Sequence, residues 1–232
     1  LKPFHCSLRI MLNDHGDGPM PQRFSTPLAA PSASTPPRRV LAFGDSLTAG
    51  FHRHGDCFCP YAVALVDALA SSSPPLAVDV WVCGLSGLTV AEMVQSMDAR
   101  QVEDAVDRTG KGLRRILLDS EPFDLVLIMA GTNDLPDDVP PSSIATTIQA
   151  LHTVCHDDGV RTVALSIPPN KGTPKGSGYQ LAWKRANSVL KSWASAEGVD
   201  GLVAAFVDTE TIVPYSKRSE LWEDDGLHLS PA

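Results

Sequence analysis

The sequence predicts an α/β protein: a parallel sheet of five strands with helices on both faces. Two observations lead there. Five short apolar runs recur from Val40 onward, separated by segments whose apolar residues repeat at helical spacing. Strands that are apolar throughout need cover on both faces, and parallel sheets joined by helical crossovers provide it. The 232 residues suit one domain carrying a tail, and 43% hydrophobic residues plus 17 glycines is ordinary for a globular chain.

Taken in order, Val40 to Phe43 is a short strand running into Gly44, and Pro60 to Ser71 is a helix with Pro60 in its first turn. Leu76 to Cys83 is the second strand. Val90 to Leu118 holds two helical stretches broken near Thr109-Gly110, and Asp124 to Ala130 is the clearest buried strand. A helix over Ser142–His156 is expected to start on Ser142 or Ser143 and to stop at Gly159. Val160 to Ile167, Gln180 to Glu197 (ending at Gly198) and Leu202 to Val207 complete the pattern as strand, helix and strand.

Residues 1–37 have a different texture. They hold seven of the 19 prolines and end in a Pro/Ser/Ala stretch, so they are expected to form a flexible leader before a domain over 38–232. Residues 1–12 lack the ordered basic, apolar and small-residue regions of a signal peptide. Five cysteines and no Asn-x-Ser/Thr site lean toward a reducing, cytoplasmic setting.

Charge and hydropathy exclude some functions. Acidic residues number 27 against 19 basic, a net charge of −8, the opposite of what nucleic acid or an anionic membrane surface attracts. No apolar run is longer than six residues, the length of Leu125 to Ala130, which is far short of the roughly 20 residues that span a bilayer, so no stable membrane insertion is expected.

In parallel sheets, reactive groups gather beyond the carboxyl ends of the strands. The polar residues there are Gly44-Asp45-Ser46, Gly84 to Thr89, Gly131 to Asp134, Pro168 to Asn170, and Asp208 with the loop leading to His228. Ser46 sits in a strand-to-helix turn that can present its hydroxyl at the sheet's rim, although a lone Gly-Asp-Ser run more often marks a turn. Gly87 can offer an unobstructed N–H, and the Asn133 amide can donate to a developing oxyanion. Asp225 lies three residues before His228. A nucleophilic serine needs a base, and the base needs an orienting carboxylate.

Together these blocks resemble the GDSL, or SGNH, hydrolases: Gly-Asp-Ser-Leu after the first strand, Ser-Gly-x-Thr after the second, Gly-x-Asn-Asp after the third and Asp-x-x-His near the end, in that order over residues 40–232. The resemblance implies a flavodoxin-like α/β/α sandwich with Ser46 as nucleophile, His228 as base and Asp225 as its orienting partner. It implies Gly87, Asn133 and the Ser46 N–H as oxyanion donors, a small-molecule carboxylic ester as substrate, and no metal or organic cofactor. A carbohydrate O-acetylesterase and a non-catalytic ester- or glycan-binding module are the alternative readings of the same fold. Val82 stands where the second block usually begins with Asn, and the closing helix that normally follows the last block is expected to be absent after Ala232.

Other signals are weaker. His52, His54, Cys57 and Cys59 have ligand chemistry but fall within eight residues, too tight for the usual zinc pairing, so this loop is expected to line the substrate mouth. Cys155-His156 reads as surface at a helix end, and Trp183 and Trp193 as packing residues. Pro168 to Tyr179 reads either as a lid or as a long surface connection.

Overall fold

The structure, a computed structural model, describes residues 20–26, 36–137, 139–173, 176–198 and 200–230. Most of the leader, residues 1–19 and 27–35, lies outside the described residues, as do Pro231 and Ala232.

The chain runs β1 (Gln22–Ser25), β2 (Arg38–Gly44), α1 (Ser46–Ala49), β3 (Phe51–His52), β4 (Cys57–Phe58), α2 (Ala62–Ala70), β5 (Val78–Gly84) and α3 (Val90–Gln95). It continues with β6 (Val102–Glu103), β7 (Thr109–Gly110), α4 (Leu113–Asp119), β8 (Leu125–Met129), α5 (Pro141–Asp157), β9 (Thr162–Leu165), α6 (Gly178–Glu197), β10 (Val203–Val207) and α7 (Thr209–Ile212). The main sheet has the order β1-β5-β2-β8-β9-β10. Its five parallel strands therefore follow the doubly wound order second, first, third, fourth, fifth, whose crevice opens where the chain reverses direction across the sheet.

The sheet has six strands, one more than the sequence predicts. The extra strand, β1, comes from the segment expected to be leader and pairs antiparallel with the edge of β5, Phe24 opposite Val80. Its four residues lie among prolines, so composition hid a strand that tertiary pairing stabilises. The Arg23 guanidinium fixes this edge through a 2.6 Å ion pair with the buried Asp79 carboxylate.

Alternation along each strand divides the core. Leu41 and Phe43 of β2 and Val126 and Ile128 of β8 face α3–α6 in the larger core, whereas Val40, Ala42, Val80 and Val82 pack under Ala62 and Val66 of α2. This is the three-layer arrangement the fold class requires. Helix α5 begins at Pro141, a residue earlier than expected, with Pro140 rather than Ser142 or Ser143 at its cap. Proline's fixed φ suits the first helical turn, where its missing N–H costs nothing. Between α3 and α4 the chain makes the small β6–β7 ribbon, where the sequence suggests only a break.

Candidate active site

The three central strands end flush. Gly44 pairs with Gly84 on one side and with Met129 on the other, so the loops leaving β2, β5 and β8 meet at one rim. Each loop carries one of the expected residues.

Ser46 opens α1 immediately after β2. Asp45 caps that turn, its Oδ1 accepting the Leu47 N–H at 3.0 Å. The Asp45 carboxyl is fully buried, and burial pushes its pKa up to about 6 despite that bond. Facing the Ser46 hydroxyl is His228, whose Nε2 lies 2.9 Å from Oγ. The other ring nitrogen, Nδ1, is 2.7 Å from Asp225 Oδ2. Asp225 Oδ1 accepts the N–H groups of Leu227 at 2.8 Å and His228 at 3.0 Å. Burial opposes the Asp225 charge, but the bonds from the His228 ring and from these two N–H groups outweigh it and hold the carboxyl below its ordinary range. Neighbouring Asp224 points to solvent, so the structure brings Asp225 to the imidazole, as the spacing suggests. Ser46 and His228 are only 5% and 8% exposed.

Gly87 occupies a left-handed turn at φ +77°, and a Cβ there would collide with the Ala105 methyl. Glycine is thus required both by backbone conformation and by close approach. Asp104, from the β6–β7 ribbon, braces this turn: its Oδ2 accepts the Ser86 N–H at 3.0 Å, and its Oδ1 accepts the N–H groups of Val106 and Arg108. From the third loop, Asn133 Nδ2 donates to the Leu88 carbonyl at 2.9 Å. Next to it, Asp134 accepts the Val90 N–H at the start of α3. The β8 exit therefore holds the Gly87 turn through two adjacent side chains. A Thr89–Glu92 capping box completes this junction.

The sequence assigns no task to three contributors. Asp104 and Asp134 brace the Gly87 turn; Asp104 carries no signal beyond being acidic near a turn, whereas Asp134 closes the Gly-x-Asn-Asp block without a role being readable from it. The third is Phe51, whose ring lies 4.3 Å from the His228 ring, centroid to centroid. The loop 51–59 does reach the candidate site. Its His and Cys residues do not form a ligand set: His52 is buried while His54 is exposed, and no group of three His, Cys, Asp or Glu suited to a metal occurs among the described residues.

Cys155 corrects an expectation. It is fully buried, its Sγ–H directed to the Leu151 carbonyl, and burial pushes the thiol up to about 12. Trp183 packs in the core and donates its indole N–H to the Ile167 carbonyl, and Trp193 packs against His152 and His156. Loop 168–179, of which residues 174 and 175 lie outside the described residues, touches the His228 turn through a bond from Lys171 N–H to the Gly226 carbonyl.

A hydroxyl, an imidazole and a carboxylate in line at the carboxyl rim of an α/β/α sandwich have the form of a serine-hydrolase centre. The chain belongs to the GDSL-like lipase/acylhydrolase family, whose sequence profile matches residues 42–232, and is a carboxylic ester hydrolase. It is 29% identical to an arylesterase of Vibrio mimicus over 206 residues, covering 86% of this chain and 84% of that protein. The fold is similar to that of a lipase/acylhydrolase from Enterococcus faecalis, with TM-score 0.59, 22% identity and 83% and 87% of the two chains covered. It is also similar to Axe2, an acetylxylan esterase from Geobacillus stearothermophilus, with TM-score 0.59, 20% identity and 84% and 87% covered.

Proposed function

We propose that the protein is a serine esterase that hydrolyses small carboxylic esters through an acyl-enzyme, with Ser46, His228 and Asp225 as its catalytic triad. The observation that carries this reading is the pair of contacts on one imidazole, 2.9 Å to the Ser46 hydroxyl and 2.7 Å to the Asp225 carboxylate. His228 Nε2 takes the hydroxyl proton as Oγ attacks the ester carbonyl. Asp225 holds the ring's Nδ1–H and stabilises the imidazolium that forms. The tetrahedral oxyanion accepts hydrogen bonds from the N–H groups of Ser46 and Gly87 and from the Asn133 amide. The intermediate collapses, His228 protonates the departing alkoxide, and the alcohol leaves. Water, deprotonated by the same imidazole, then attacks the acyl carbonyl, releases the acid and regenerates Ser46.

The test is hydrolysis of p-nitrophenyl esters from acetyl to palmitoyl by the wild type and by Ser46→Ala. The variant is expected to lose on the order of 10⁴-fold or more in kcat. A folded Ser46→Ala protein with unchanged turnover would exclude the nucleophile assignment.

A further inference from the structure

Phe51 is the first residue of the loop that follows the Ser46 turn, and no motif points to it. Its ring lies against the imidazole of His228, 4.3 Å between centroids with the planes 36° apart. Phe58, its ladder partner in the β3–β4 pair, meets it edge to face at 5.9 Å and 82°. The Arg108 guanidinium stacks on Phe58 with its carbon 3.7 Å from the ring centroid. The two rings make a corner beside the base, and neither is fully buried.

The loop is built to hold that corner. Its ends are joined by the Cys59 N–H bonding to the Gly50 carbonyl at 2.7 Å. Three successive residues, Arg53, His54 and Gly55, have φ of 50°, 57° and 93°. The first two are not glycine, and such backbone persists only where its surroundings enforce it, often at ligand clamps. Gly55 is required because a Cβ there would come within 2.9 Å of Phe51 Cε2. The Arg53 N–H donates to Glu223 Oε2 at 3.2 Å, and the Glu223 N–H donates to the His228 carbonyl. The loop is thus clipped to the turn that carries the base.

In ester hydrolysis by a serine triad, the imidazole that takes the serine proton later delivers it to the leaving oxygen. That oxygen must lie within hydrogen-bond reach of His228 Nε2. Whatever flanks the His228 ring therefore flanks the alcohol portion of the substrate. We propose that the Phe51–Phe58 corner is the leaving-group subsite and that it selects esters of aromatic alcohols. A flat ring can extend the edge-to-face pair into a three-ring cluster, whereas an aliphatic alcohol gains only contact area. The inference rests on the serine-esterase reading and deepens it.

The experiment compares kcat/KM for phenyl acetate and cyclohexyl acetate in wild type and Phe51→Leu. Taking the ratio of the two esters in each enzyme, then comparing the enzymes, cancels the different intrinsic reactivity of the two leaving groups. Phe51→Leu is expected to lower the phenyl-to-cyclohexyl ratio roughly 3- to 10-fold, the span of an aromatic pair's added contribution. Phe51→Tyr, which keeps a ring, should restore most of it. Equal losses on both esters would mean that Phe51 only covers the histidine, and would overturn the proposal while leaving Ser46-dependent turnover intact. Absence of Ser46-dependent turnover in the wild type would remove the esterase reading itself, and the proposal with it. Product inhibition of the wild type needs no variant: phenol should compete several-fold more strongly than cyclohexanol, and equal inhibition would count against an aromatic subsite.

Discussion

Asn133 has two amide hydrogens. One bonds the Leu88 carbonyl and so fixes the side chain against the Gly87 turn. In the proposed mechanism the other is the oxyanion donor. A donor already held in place needs no reorganisation as charge develops on the substrate oxygen, which is why such donors favour the transition state over the ground state. Asn133→Ala should therefore cost about 10²–10³ in kcat while KM changes much less. Steady-state kinetics on a p-nitrophenyl ester, with a melt to verify folding, decides it; full activity in a folded variant would exclude Asn133 from the oxyanion site. Asn133 stands out in the sequence because Ser46, Gly87 and Asn133 each follow the end of a strand, where order along the chain reports position at the rim of the sheet. Phe51 was not legible for the opposite reason. Its contact with His228 exists only because two distant loops meet at the rim, and a single phenylalanine after Gly50 carries no periodicity or motif.

The β6–β7 ribbon shows what a small element contributes. Two-residue strands are too short to give an alternation pattern, so the sequence shows only an interruption between helices. Their structural effect is larger than their length. The ribbon places Asp104, 6% exposed, where one carboxylate accepts N–H groups from Ser86, Val106 and Arg108. It also sets Ala105 against Gly87, with the Ala105 N–H bonded to the Ser86 carbonyl at 2.9 Å. Asp104→Ala would leave the Ser86 N–H without its acceptor in a buried position, at a cost of about 1–3 kcal/mol. The expected result is a lower melting temperature together with reduced kcat, because the Gly87 turn loses its brace. Unchanged kcat in the variant would show that the turn is held well enough by Asn133 and Asp134 alone. Strand β1 is a similar case. Pairing with β5 and the Arg23–Asp79 ion pair define it, and both partners lie far along the chain. The long apolar strands and the later helices, by contrast, followed directly from periodicity.

At the scale of the whole molecule, two buried titratable groups oppose each other. Asp45, below the Ser46 turn and near Asp134, has its pKa raised by burial from 3.8 to about 6. Its folded form prefers the proton, so its contribution to stability is complete below pH 3.8 and is lost as pH rises through 6. His152, fully buried on α5, has its pKa lowered from 6.5 to about 3, chiefly by burial and next by neighbouring His156. Its Nδ1 bonds the Thr162 hydroxyl, which also meets His156 Nε2, while Trp193 packs against both rings. Burial and a neighbouring aspartate and glutamate act in opposite directions on His156, and burial wins, so its own pKa is also lowered. His152 folds neutral, so its contribution is complete above pH 6.5 and is lost as pH falls toward 3. Each shift is worth a few kcal/mol, and the two act in opposite directions across the same range of pH. Single variants separate them. Asp45→Asn keeps an N-cap side chain and removes the charge; its stability relative to wild type should increase as pH rises from 4.5 to 7. His152→Leu should show the reverse, gaining on wild type as pH falls over the same range. Exposed carboxylates titrate alike in all three proteins and cancel in the differences. Urea unfolding at four pH values across that range measures both slopes. Two difference curves of the same sign would mean that at least one of these groups is hydrated in solution, because burial is the chief cause of both shifts and drives them in opposite directions.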